Sequence, residues 1–131
     1  MVHTMPITPV WDDAEETIIR FDYSDPVESW AEYHRAVETG NQLAHTKSYA
    51  VAMIHVAGKV KMPKGDALPA LQRVIRELPE NVYLVISIVD DNFARSVGSL
   101  AVRTFADSSK VKFARSLDEA HLMIQRSREN H

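Results

Sequence analysis

A chain of 131 residues, 45% hydrophobic and 25% charged, has the length of one domain and can bury a core without disulfides or a structural metal. The lack of cysteine excludes a disulfide framework, thiol catalysis and cysteine-ligated zinc, and a net charge of −3 without a basic cluster argues against a general nucleic-acid binder. No stretch reaches the roughly 20 apolar residues of a membrane span, and the first residues hold no apolar run flanked by positive charge, so the expected location is the cytoplasm.

Met1–Pro9 has two prolines and no hydrophobic period, and reads as a flexible tail before a single domain over 10–126. Trp11 opens a short extended piece. In Thr17–Tyr23, Ile19, Phe21 and Tyr23 alternate with Arg20 and Asp22, the pattern of a half-buried strand that forms an antiparallel hairpin with the Trp11 segment. Asp25-Pro26 reads as a helix start, since proline suits the first helical position. Val27, Trp30, His34 and Val37 then recur at helical spacing, and the helix is expected to end between Thr39 and His45.

Tyr49–Val56 is a nearly continuous apolar run, as is Val82–Val89, and both read as strands buried on two faces in a parallel sheet. Between them, Asp66 is the expected cap of a second helix with Leu68, Leu71, Val74, Ile75 and Leu78 inward, stopped by Pro79. Asn92 is the expected cap of a third helix running from Phe93 to Phe105. Val111–Ala114 reads as a short edge strand beside Lys110 and Lys112. Ser116 and Glu119 form a capping box for a last helix, with fraying over 127–131. The order β-β-α-β-α-β-α-β-α implies an α/β fold: a mixed, largely parallel sheet of four to five strands with about four helices.

Three stretches carry a resemblance. They are the tryptophan–acidic start at Trp11-Asp12-Asp13, the segment Leu78-Pro79-Glu80-Asn81, and Asn92-Phe93-Ala94-Arg95. With the order of elements, they resemble the STAS domain family of anti-sigma-factor antagonists and sulfate-transporter cytoplasmic domains, in particular a bacterial STAS-like branch. The resemblance covers roughly Trp11 to Ile124 and implies a regulatory or adaptor module that binds another protein. In that family the loop after the strand matching Tyr49–Val56 ends in a phosphorylated serine or threonine. Here it reads Met62-Pro63-Lys64-Gly65-Asp66-Ala67-Leu68, without a hydroxyl, and Asp66 stands about where the modified residue would be.

In open α/β sheets the ligand face lies beyond the carboxyl ends of the strands. That rule singles out Gly58, Lys59, Lys61, Lys64, Gly65 and Asp66 after one interior strand, and Asp90, Asp91, Asn92 and Arg95 after the other. The lysines precede a helix N-terminus, where an anion is favoured, but an Asp66 cap would occupy a donor there, and a solvated loop is the plainer reading. Asp90 and Asp91 invite a divalent cation, yet adjacent residues on an extended chain point apart, so a strand end and a helix cap explain them more simply.

Among six histidines, none pairs at i, i+4 as a helical zinc site requires. His55, near the end of an interior strand, is a candidate base with Asp66 or Asp90, though a buried structural histidine is the commoner case. Trp30, Tyr33, His34 and His55 are the candidate lining of a pocket between sheet and first helix, for a lipid or a nucleotide. GxSxG, GxGxxG and P-loop patterns are all missing, so neither a cofactor nor a metal is expected. The aromatic first helix and the edge strands leave a homodimer open.

Overall fold

A computed structural model describes residues 5–90, 103–104 and 110–129. Their elements are β1 (Ile7–Trp11), β2 (Ile18–Tyr23), α1 (Trp30–His45), β3 (Val51–Gly58), α2 (Ala67–Arg76), β4 (Val82–Val89), β5 (Val111–Ala114) and α3 (Leu117–Glu129). The helix expected from Phe93 lies outside the described residues, apart from helical Arg103 and Thr104. The described chain is therefore α/β, with three full helices and one five-stranded sheet.

The strands lie in sequence order, β1-β2-β3-β4-β5, with β1 antiparallel to β2 and every other neighbouring pair parallel. Successive right-handed crossovers moving one way along a sheet put their helices on one face. Accordingly α1 and α2 share a face, packed on Ile19, Phe21, Val51, Met53, Val82 and Val85. Helix α3 covers the other face, where Ala120 and Ile124 meet Ile18, Ala52, Ile54, Leu84, Ile86 and Ile88. This double cover is why β3 and β4 are apolar throughout rather than alternating. It also explains Ile18, which breaks the alternation of β2 because it faces α3.

Side chains across the parallel register form rows. Ile19, Met53, Val85 and Val111 make one row facing α1 and α2, and Phe21, His55, Ser87 and Phe113 make the next row toward the carboxyl ends. Phe21 is fully buried, worth about 1.5–3 kcal/mol of apolar burial, and stacks flat on His55 at 4.1 Å between centroids. Gly40 makes room for it. A Cβ at Gly40, in mid-α1, would overlap the Phe21 ring. The glycine costs about 1 kcal/mol of helix propensity relative to alanine, and close approach to the sheet is its physical reason.

Several boundaries differ from expectation. β1 starts at Ile7, inside the expected tail, because Ile7 is a core residue paired with Tyr23. Helix α1 starts at Trp30 rather than after Asp25. Ser29 Oγ accepts from the Glu32 N–H, and Glu32 reaches back to the Glu28 N–H, so a Ser-x-x-Glu capping motif sets the start in place of Pro26. β3 is Val51–Gly58, two residues later than the apolar run. Tyr49 is exposed, and its hydroxyl donates to the carbonyls of Glu15 and Glu16. Helix α3 continues through Ser127 to Glu129.

The quoted motif residues at the amino ends of the strands have structural work. Asn81 Nδ2 donates to the carbonyls of Ala44 and Tyr49 at 2.9 and 3.1 Å, closing the end of α1 against the entry to β3. Asp13 accepts from the N–H groups of Thr17 and Ile18 and from the Thr17 hydroxyl, fixing the β1–β2 turn. Burial alone would raise the Asp13 carboxyl, but these hydrogen bonds outweigh it and hold it below the usual range.

Candidate functional site

The carboxyl ends of the parallel strands carry two adjoining spaces, one open and one closed. The open one is a groove of about 620 Å³ between the β2–α1 connection and the β3–α2 connection. Its walls are Ser24, Asp25 and Pro26 on one side and Gly58, Lys59, Val60 and Lys61 on the other, over a floor of Tyr23, Val56 and Ala57. Two bonds tie the walls at one end. The Val27 N–H donates to the Lys61 carbonyl at 2.9 Å, and Trp30 Nε1 donates to the Gly65 carbonyl at 2.6 Å. Met62 is also buried against the core. The expected solvated loop is thus an anchored one that holds Lys59 and Lys61 outward.

Gly58 and Gly65 both adopt positive φ, 53° and 75°, which bends the chain out of β3 and again into α2. Asp66 corrects an expectation. It holds the N-cap position of α2 in left-handed backbone, φ 55°, and its side chain makes no capping bond. The carboxylate therefore leaves the first-turn N–H groups uncovered. Lys64 and Asp66 are exposed and lie off the groove, while Asp90 follows the end of β4. Asp91, Asn92 and Arg95 lie outside the described residues.

The closed space lies behind the groove floor, with Tyr23 and Ala57 common to both. Of the four predicted pocket residues, Tyr33 and His55 border it. Trp30 and His34 instead meet Tyr33 edge-on, at 5.3 and 5.7 Å between ring centroids. His34 is held below its usual pKa by partial burial and by Arg73 on α2. The closed space measures about 10 Å³, so neither a lipid nor a nucleotide fits it.

His55 Nδ1 lies 2.8 Å from the Tyr23 hydroxyl, with the imidazole buried and the phenol partly buried. Burial drives the imidazole pKa down to about 3 and the Tyr23 phenol well above its ordinary value, so the pair shares one neutral hydrogen bond at neutral pH. The bond joins His55 to Tyr23 rather than to Asp66 or Asp90. Ser87 is the residue sequence reasoning passed over, while Tyr23 is among the aromatics that sequence alone offers as pocket or surface lining. The place of Ser87 follows from one fact the sequence hides, the register that sets Phe21, His55 and Ser87 in a row.

Among the described residues no group of three or more histidine and acidic side chains could hold a metal, and no helix is long and apolar enough to cross a membrane. No family model, curated protein or solved structure matches the chain.

Proposed function

We propose that this chain is a STAS-like regulatory or adaptor module of the cytoplasm that acts by binding another protein at the carboxyl end of its sheet. The observation that carries this reading is the groove between Ser24–Pro26 and Gly58–Lys61. It has the volume of a ligand site but is wide open, and it presents paired lysines opposite Asp25 on anchored walls. An open, rigid, mixed-charge surface suits a protein segment better than a small molecule, which is usually enclosed over most of its surface. The interior supports the same reading, because His55 is neutral, buried and bonded to tyrosine, an arrangement of structure rather than proton transfer. The lack of a hydroxyl between Met62 and Leu68 means that control by phosphorylation at that loop is not part of the proposal.

Native mass spectrometry of the protein isolated gently from its host tests this. The expected result is an added mass of protein size with the wild type that is lost in the Lys59→Glu/Lys61→Glu variant. A small added mass would favour a small ligand in the groove. A protein partner that survives the double substitution would move the interface elsewhere.

A further inference from the structure

The closed space at the carboxyl end of β3 and β4 is bordered by four side chains able to hydrogen-bond: Tyr23, Tyr33, His55 and Ser87. Tyr33, His55 and Ser87 are each at least nine-tenths buried. The Tyr23 hydroxyl and His55 Nδ1 are occupied by each other. Three groups then remain: the Tyr33 hydroxyl, the second ring nitrogen of His55 and the Ser87 hydroxyl. The fully enclosed side-chain atoms without a partner among the described residues are Asn41 Oδ1 and Tyr83 Oη, whereas these three groups border the space itself. A hydroxyl or ring nitrogen that borders such a space would cost about 1–3 kcal/mol if it were left dry and without a partner.

We propose that this space is a binding site for one water molecule, held by Ser87, Tyr33 and His55. Its volume of about 10 Å³ is at the threshold for a single water, roughly 10–15 Å³, and its borders supply the two to four polar partners such a water needs. The chemistry excludes ions. None of the residues lining the space is a carboxylate, lysine or arginine, and a lone charge there would have no counter-charge. The water accepts and donates around the void, which also lets His55 use its second nitrogen in whichever tautomer the Tyr23 bond selects. Because Tyr23 and Ala57 separate this water from the groove, it leaves by movement of the groove floor, and its residence time reports on that floor.

The test is a water–protein cross-relaxation measurement by NMR on the intact chain, read at the methyl groups of Ala57 and Met62, which line the void. The expected result is cross-peaks with the sign of a long-lived water in the wild type. They should vanish in Ser87→Val, whose extra volume fills the void and removes one partner. Amide dispersion checks that this variant is folded. Should it not fold, Tyr33→Phe removes a single hydroxyl at constant shape, and the cross-peaks should weaken. Absent cross-peaks in the wild type, or peaks of equal intensity in wild type and variant, would overturn the proposal.

Discussion

The two faces of the sheet bury polar groups in opposite ways. Beneath α1 and α2, Tyr33, His55 and Ser87 lie deep in the core and are neutral, with the partly buried Tyr23 bonded to His55. Beneath the edge of α3, polar groups gather at the rim around the charged Arg20. Arg20 reaches Asp12 and Asp22, each at 2.7 Å, and His121 Nε2 donates to the second oxygen of Asp12 at 2.8 Å. Both acidic partners raise the Arg20 guanidinium pKa, so it stays charged. The contrast follows from solvation. A charge loses several kcal/mol on full burial, whereas a neutral group needs only a hydrogen bond. The deep face therefore responds to pH and packing, and the rim face to salt.

The largest test falls on His55. Its folded pKa, about 3, lies below the value of an unfolded histidine, 6.5, so between these pH values the unfolded chain binds a proton that the folded chain does not. Its contribution to stability is complete above pH 6.5 and is lost as pH falls toward 3. By linkage the loss reaches about 3 kcal/mol at pH 4. Urea denaturation of the wild type and His55→Gln at pH 7 and pH 4 should show a steeper acid loss in the wild type by about that amount, since the carboxylates common to both cancel. Parallel pH profiles would break the comparison by showing that His55 titrates normally.

Gly40→Ala comes next. The added methyl would overlap the Phe21 ring, and helix propensity repays only about 1 kcal/mol of the strain, so a net loss of roughly 2 kcal/mol in urea is expected, independent of salt. Phe21→Leu in the same chain should recover part of it. A neutral or stabilising Gly40→Ala would mean that Phe21 and the His55 stack yield easily.

The layers of this molecule were legible where solvation writes a pattern. The runs before Val56 and over Val82–Val89 read as interior strands because α1, α2 and α3 cover both of their faces. Ser116-x-x-Glu119 marks a helix start because two side-chain-to-backbone bonds form within the five residues from Arg115 to Glu119. The same logic applied at Ser29-x-x-Glu32, but the stronger-looking Asp25-Pro26 pair drew the boundary early. The groove was legible only in part. A rule about strand ends identified Gly58, Lys59 and Lys61, while the opposite wall, Ser24 to Pro26, was read as a helix start. The Tyr23–His55 bond spans 32 positions and depends on which residues of two parallel strands stand side by side. Periodicity fixes the face of a side chain but leaves the register between parallel strands open.

On the rim face the effects should be smaller and should respond to salt. Asp12→Asn removes the charge shared by Arg20 and His121 and should cost about 1–2 kcal/mol at low ionic strength, since hydrogen bonds to charged groups exceed neutral ones and Arg20 stays partly solvated. The penalty should shrink in 1 M sodium chloride, where the screening length falls to about 3 Å, while the Gly40→Ala penalty stays constant.

His121→Ala should be the mildest, about 0.5 kcal/mol or less. The side chain is substantially exposed, and Asp12 keeps Arg20 when the imidazole is gone. A double-mutant cycle joining His121→Ala to Asp12→Asn isolates what α3 gains from the His121–Asp12 contact, apart from the Arg128 bond to the Thr17 hydroxyl. A small coupling energy would show that Ala120 and Ile124, packed on Ile18 and Ile54, hold the helix, with the rim network adding orientation. A coupling as large as the whole Asp12→Asn penalty would reverse that order. The rim would then hold α3 down, and the two faces would be alike in resting on polar groups.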